Sequence, residues 1–71
     1  MCVWYRSAPF CGHGSDCPTI YPSLQYHADS SSHAQYCSAS FGSKCWSGEK
    51  NLCCNANVNL QDTSSYTCGS Y

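Results

Sequence analysis

A regular alternation of apolar and polar residues begins at Cys54 and continues to Gln61. The apolar positions are Cys54, Ala56, Val58 and Leu60, and the polar positions between and after them are Asn55, Asn57, Asn59 and Gln61. A period of two residues with one apolar face is typical of a half-buried β-strand. We therefore predict a strand over residues 54–60, with its apolar residues facing inward and its asparagines facing solvent.

Three other segments favour β structure. Residues 2–6 contain valine, tryptophan and tyrosine in succession, which are good strand formers. Ser47 and Gly48 have the composition of a tight turn, and we predict a hairpin that joins residues 44–46 to residues 50–54. Residues 63–68 form a last candidate strand. The chain is therefore expected to be mainly β, with short antiparallel strands.

The middle of the chain carries weaker signals. Pro18 and Pro22 favour extended or turn conformations around them. Residues 25–35 are largely polar, and Asp29 or Ser30 is a suitable cap for a short helix that would end near Tyr36. The three consecutive serines at positions 30–32 disfavour a helix. A short helix and a loop both remain open for this segment.

Cysteine usage sets the class of the protein. Eight of the 71 residues are cysteine, a density typical of disulfide scaffolds. A chain this short buries too little apolar surface to be stable alone, and each disulfide contributes about 2–4 kcal/mol. Such frameworks form in oxidising compartments, so we expect a secreted, extracellular protein. We predict one disulfide-stapled domain over residues 1–71 with no free thiol, its bridges formed by Cys2, Cys11, Cys17, Cys37, Cys45, Cys53, Cys54 and Cys68.

Two of the cysteines, Cys53 and Cys54, are adjacent in the sequence. Adjacent side chains point to opposite faces of a strand, so these two are expected to pair with different regions, one of them in the N-terminal third. The remaining connectivity stays open, because eight cysteines allow 105 pairings.

Charge and hydropathy exclude two classes of partner. Three basic and four acidic residues give a net charge near −1, so no long-range attraction to nucleic acid or anionic membranes is expected. No apolar run approaches the roughly 20 residues of a membrane span, so membrane insertion is not expected. No signal peptide is visible, which suggests a mature chain or an excised domain with Met1 added for expression.

Metal and cofactor binding find little support in the sequence. His27 and His33 flank Asp29, and His13 lies in a glycine-containing loop. Their spacings match no zinc motif, and the chain has no C-x-x-C. We expect surface histidines, with no metal site and no cofactor.

Catalysis finds equally little support. A ribonuclease-like site needs a histidine, a glutamate and an arginine, but nothing in the spacing of His13, Glu49 and Arg6 brings them together. A cysteine nucleophile needs a free thiol, and the even number of cysteines argues against one. The four carboxylates are scattered and show no paired arrangement. We therefore predict that the protein is not an enzyme and has no catalytic residues.

Aromatic residues are the strongest indication of a binding surface. The chain has ten of them, more than so small a body can bury. Exposed tyrosine and tryptophan give rigid contact area for sugars or protein pockets. The principal candidates are Tyr21, Tyr26 and Tyr36, which lie in the polar, proline-punctuated half. Trp4 and Trp46 are further candidates, with the alternative that they pack over the disulfides as core.

Two segments resemble a known pattern. Residues 2–17, C-V-W-Y-R-S-A-P-F-C-G-H-G-S-D-C, resemble W-x-G-T-A-P-F-C-x-G-x-C, and residues 41–54, F-G-S-K-C-W-S-G-E-K-N-L-C-C, resemble G-D-G-x-x-C-W-T-G-x-K-x-L-C. The fixed positions are matched by Ala8, Pro9, Phe10, Cys11, Cys17, Cys45, Trp46, Gly48, Lys50, Leu52 and Cys53. Both motifs occur in this order in small secreted cysteine-rich modules of animals, fungi and bacteria.

The resemblance covers about 30 of the 71 residues and has clear departures. Ser7 replaces a threonine and Arg6 a glycine, and the first cysteine gap is wider by two residues. Cys37 and Cys68 lie outside the pattern. The resemblance implies an extracellular module and transfers no active residue.

Three functional hypotheses follow from these features. The first is non-enzymatic recognition of an extracellular glycan or a cell-surface protein through exposed aromatic rings. The second is a secreted signal, toxin or effector that acts on a receptor or channel, for which Lys44 and Lys50 form the only basic cluster. The third is a structural or adhesive secreted protein with a self-associating strand edge.

Overall fold

The computed structural model describes all 71 residues and contains one four-stranded sheet. The strands lie in the order β2-β3-β1-β4, with β3 antiparallel to both of its neighbours and β4 parallel to β1. Two short 3₁₀ helices lie outside the sheet, and no helix is long and apolar enough to cross a membrane. The elements are β1 (Cys2–Tyr5), β2 (Ser23–Ala28), the first 3₁₀ helix (Ser38–Ser40), β3 (Lys50–Cys54), the second 3₁₀ helix (Thr63–Ser65) and β4 (Cys68–Gly69).

Strand β3 forms the centre of the molecule, and all five of its residues are buried. Its register with β1 pairs Trp4 with Leu52, and Val3 and Leu52 are both fully buried. A strand that has neighbours on both sides and contacts on both faces excludes water along its whole length. The sequence-based prediction of a small, disulfide-rich, mainly β fold is confirmed, and so is the strand that begins at Cys2.

Four disulfides join distant parts of the chain, and no cysteine is free. The pairs are Cys2–Cys54, Cys11–Cys45, Cys17–Cys53 and Cys37–Cys68. The first of these links directly opposed residues of β1 and β3, with Cα atoms 4.0 Å apart. The adjacent cysteines of β3 therefore have different partners, as predicted, and both partners lie in the N-terminal third of the chain.

One side of the core is built around the packed rings of Trp4 and Phe41. The rings of Trp4 and Phe41 meet edge to face with centroids 4.9 Å apart, and the Trp4 indole donates to the Cys37 carbonyl at 2.9 Å. The buried ammonium of Lys50 donates to the Phe41 carbonyl at 2.6 Å and lies 4.4 Å from the centre of the Phe41 ring. Burial lowers the pKa of Lys50, while the carbonyl and the ring compensate part of the lost hydration.

The predicted strand over residues 54–60 is wrong, because β3 ends at Cys54 and the following residues are irregular. Leu60 is buried and Val58 half-buried, but Ala56 is exposed. The asparagines are exposed as expected, yet their side chains make local and loop contacts that compete with strand pairing. Asn59 accepts from the Gln61 amide at 3.1 Å, and Asn57 accepts from the Ser23 hydroxyl.

The predicted hairpin around Ser47 and Gly48 does not form. Strand β3 pairs with β1 and β2, and the segment before the turn instead runs beside residues 10–12. Most of the predicted strand over residues 63–68 is also replaced, because Asp62 accepts from the Ser64 amide and caps the second 3₁₀ helix.

The middle of the chain contains no α-helix. Residues 30–34 make a single turn, in which the Ala34 amide donates to the Ser30 carbonyl at 3.0 Å. Strand β2 was not predicted, although Leu24, Tyr26 and Ala28 alternate with polar residues in its sequence, because the polar composition of residues 25–35 obscured this short alternation. It lies at the edge of the sheet, and it carries an irregularity in register between Leu24 and Tyr26. Of its three apolar residues only Ala28 is buried, as expected for a strand at the edge of a small sheet.

Candidate recognition surface

Two large aromatic side chains, Phe10 and Trp46, are strongly exposed next to each other. Phe10 is 70% and Trp46 76% accessible to solvent. Their rings meet edge to face, with centroids 5.9 Å apart and an interplanar angle of 84°. We call these two residues the aromatic pair. Two contiguous exposed rings form an apolar patch and are a candidate interaction site.

The backbone beneath the aromatic pair is firmly held. The Trp46 amide donates to the Pro9 carbonyl at 2.7 Å, and the Cys11 amide donates to the Ser47 carbonyl at 3.0 Å. Cys11 follows Phe10, Cys45 precedes Trp46, and these two cysteines form a disulfide with Cα atoms 5.8 Å apart. The two rings are therefore presented from two chain segments that are both bonded and cross-linked.

A small polar depression lies along the same two segments. Its volume is about 140 Å³, and its lining contains a single hydrophobic side chain. We call it the polar depression; its lining residues are Gly12, His13, Gly14, Ser15, Leu24, His27, Glu49 and Asn51.

The polar depression is close to the aromatic pair. The Glu49 amide donates to the Gly12 carbonyl at 3.0 Å, which fixes the two segments side by side. An extended chain advances at most about 3.5 Å per residue, so the Cα atom of Gly12 is within about 7 Å of that of Phe10. By the same reasoning, Glu49 is within about 11 Å of Trp46. The backbone segments that carry the two features are therefore neighbours.

A histidine–glutamate pair forms part of the depression. Nδ1 of His27 lies 2.9 Å from Oε1 of Glu49. Because an ionised carboxylate can only accept, Nδ1 of His27 is the donor of this contact. His27 comes from β2 and Glu49 directly precedes β3, so the pairing of these two strands brings the side chains together.

Hydrogen bonds from the side chains of Asn51 and Arg6 hold the glycine-containing loop of the depression in place. The Asn51 amide group donates to the carbonyls of Gly14 and Asp16, at 2.9 and 2.8 Å. The Arg6 guanidinium donates to the Cys11 carbonyl at 3.2 Å and forms an ion pair with Asp16. The hydrogen bond from Arg6 lowers the pKa of the Asp16 carboxyl, which stays ionised at neutral pH.

The structure distributes the predicted binding residues between the surface and the interior. Trp46 belongs to the aromatic pair. Trp4 is only 6% exposed and packs in the core, so the expectation that it contributes to a binding surface is corrected. The alternative prediction, that a tryptophan packs over the disulfides as core, applies to Trp4, which belongs to the same buried cluster as Cys2, Cys11, Cys45 and Cys54.

The three candidate tyrosines are all half-buried. Tyr26 and Tyr36 meet edge to face at 5.4 Å and pack against the core. Tyr21 lies apart from them, with its ring 6.2 Å from that of Tyr71. Phe10 was not among the candidates. Its neighbour in the sequence, Cys11, forms a disulfide with Cys45, the neighbour of Trp46. No local sequence pattern indicates this pairing.

The histidines are separated into two places. His13 and His27 both line the polar depression with Glu49, although their spacing gave no indication of this. His33 instead bonds to Asp29 at 2.6 Å on another part of the surface, and this hydrogen bond lowers the pKa of Asp29. No three side chains of the metal-ligating types are grouped to hold a metal ion.

The basic cluster predicted at Lys44 and Lys50 is not on the surface, because Lys50 is buried in the core.

The fold and the four disulfides define a small disulfide-rich domain of the kind typical of extracellular proteins. Comparisons of the chain with known protein families, with curated proteins and with solved structures find no match.

Proposed function

We propose that this protein is a secreted, non-enzymatic recognition module that binds an extracellular partner through the aromatic pair. The observation that carries the proposal is the exposure of Phe10 and Trp46 at a disulfide-linked position. Burying a large aromatic or aliphatic side chain contributes about 1.5–3 kcal/mol. Because the backbone is already fixed, little ordering entropy opposes binding.

The remaining features support an extracellular role and an uncharged mode of binding. Four disulfides require an oxidising compartment to form and persist. The net charge near −1 leaves little electrostatic attraction to steer a partner, so affinity is expected to depend weakly on ionic strength. Binding that collapses between low and moderate salt would contradict this mode.

The alternative functions have less support. A toxin-like mode needs an exposed basic loop, and Lys50 is buried. An adhesive mode needs a long regular strand edge, whereas β4 has two residues and β2 has an irregular register.

A binding screen with matched variants tests the proposal. The labelled protein is applied to arrays of extracellular proteins and of glycans, and each partner is measured again with the double variant Phe10→Ala/Trp46→Ala. We expect a loss of affinity of at least tenfold, because two large apolar contacts are removed. Ile20→Ala is the control, since Ile20 is an apolar side chain of similar exposure, 67%.

Native disulfide pairing and near-UV circular dichroism of each variant verify that the fold is intact. The proposal is wrong if the double variant binds the partner as tightly as the unchanged protein.

A further inference from the structure

We infer that the polar depression binds one neutral sugar residue of a glycan, whose neighbouring residue contacts the aromatic pair. This inference rests on the proposed function and names its partner class, a carbohydrate. It depends on three properties of the depression: its size, the chemistry of its lining and its position beside two exposed rings.

The size and lining match a sugar ring. A volume of about 140 Å³ limits the depression to a small ligand unit, such as one sugar ring. Sugar hydroxyls both donate and accept hydrogen bonds, and the lining offers both functions through the Ser15 hydroxyl, two imidazoles and a carboxylate. Leu24, the single hydrophobic residue of the lining, gives the C–H groups of a sugar an apolar contact.

Glu49 and His27 provide the best-defined hydrogen-bonding groups. Oε1 of Glu49 is held by His27, which leaves Oε2 to accept from a sugar hydroxyl in a charge-assisted hydrogen bond. The same contact orients the His27 ring and leaves Nε2 to hydrogen-bond with a second hydroxyl. A contact that orients both side chains before the ligand arrives lowers the entropy cost of binding.

The loop that completes the depression is also preorganised. Asn51 and Arg6 together bond to three carbonyls of residues 11–16, so the positions of His13 and Ser15 follow from a supported backbone. The Cα atom of Phe10 lies within about 7 Å of that of Gly12, and the Cα atom of Trp46 within about 11 Å of that of Glu49. A short oligosaccharide spans these distances. Aromatic rings stack on the apolar faces of sugars.

The charge of the lining selects among ligands. Glu49 is the single carboxylate of the depression, and its negative charge repels phosphate, sulfate and acidic sugars. Hydrolysis by paired carboxylates requires a second acidic group near the first, which the lining does not contain. The chemistry therefore favours binding of neutral glycans without cleavage.

The test begins with a glycan array that carries neutral and acidic oligosaccharides. The neutral glycan with the strongest signal is then titrated into the isotope-labelled protein and followed by NMR and calorimetry. Glu49→Gln removes the negative charge of the acceptor carboxylate, and His27→Gln removes the imidazole that hydrogen-bonds to this carboxylate. We expect each variant to lower the affinity about tenfold or more, with amide shift changes that concentrate in residues 12–15.

The chain contains a matched control for these variants. His33 and Asp29 form a second exposed histidine–carboxylate pair outside the depression. His33→Gln and Asp29→Asn change the same chemical groups and are expected to leave glycan affinity unchanged.

The outcomes separate this inference from the proposed function. If no neutral glycan binds, or if Glu49→Gln and His27→Gln bind as well as the control variants, the sugar site is wrong. The proposed function still stands in either case if a partner is lost on changing Phe10 and Trp46. If a glycan is lost only with the depression variants and the aromatic pair has no effect, the sugar site in the depression stands, while the proposed function and the contact of the neighbouring sugar with the aromatic pair are both wrong.

Discussion

At the scale of single residues, close backbone contact fixes the candidate surface. Gly48 has a φ of 73°, a conformation that favours glycine. A Cβ atom at this position would lie 2.0 Å from the Gly12 carbonyl oxygen, which belongs to the backbone and has no free rotation. The absence of a side chain at Gly48 is therefore what allows the two segments that carry Phe10 and Trp46 to run side by side.

We predict that Gly48→Ala destabilises the fold by several kcal/mol, because backbone strain is added to a steric clash. Gly42→Ala is the matched control. Gly42 also has a positive φ, 82°, but the atom nearest to an added Cβ would be Nζ of Lys50 at 3.4 Å, which is not a steric clash. The control should lose only about 1–2 kcal/mol. Chemical denaturation of both variants measures the difference, and equal losses would disprove the role of close contact.

At the scale of elements, β3 connects the core to the candidate surface. Leu52, Cys53 and Cys54 are fully buried, while Asn51 directs its amide group to the glycine-containing loop. The same strand thus carries apolar packing, two disulfides and the support of the depression. Strand β2 adds His27 to this arrangement through its pairing with β3, in which His27 stands opposite Asn51.

We predict that Asn51→Asp strongly destabilises the loop of residues 12–16. The change replaces a donor by a buried carboxylate that faces two carbonyl oxygens, a loss of several kcal/mol. Asn57→Asp is the control, because Asn57 is exposed and its side-chain oxygen already accepts hydrogen bonds. It should change stability by less than about 0.5 kcal/mol. Hydrogen exchange and denaturation test both variants, and equal sensitivity would contradict the prediction.

At the scale of the whole molecule, cross-links compensate for a small core. Only 15 of the 71 residues are buried. The four bridges close sequence separations of 31 to 52 residues. In the chain-entropy description, loops of this length correspond to about 4 kcal/mol for each bridge. The disulfides, rather than the apolar core alone, therefore account for the stability of the fold.

We predict that proteolysis of the unreduced protein leaves a cluster of three peptides around the adjacent cysteines, with Cys2 joined to Cys54 and Cys17 to Cys53. Mass spectrometry identifies the cluster. A product with only two peptides would disprove this connectivity.

Reduction of all bridges should abolish the near-UV circular dichroism, because the remaining core is too small. A reduced chain with a native spectrum would show that burial alone holds the fold.

The sequence by itself determined that all eight cysteines are bridged, the mainly β class, the first strand and the separate partners of Cys53 and Cys54. These conclusions depend on composition, on local propensity and on the geometry of adjacent residues, all of which can be read along the chain. The alternation after Cys54 was misleading, because Asn59 hydrogen-bonds locally to the Gln61 amide, Asn57 bonds to Ser23, and the edge of the sheet is already formed by β2.

Only the tertiary structure decided which aromatic residues are exposed and which polar side chains meet. Trp4 lies within strand β1 and Trp46 directly follows the buried Cys45, yet Trp4 is buried and Trp46 is exposed. Phe10 and Trp46 are 36 positions apart in the chain, and His27 and Glu49 are 22 apart. The physical reason is that these contacts follow from disulfide pairing and strand register, which connect distant segments and leave no local pattern.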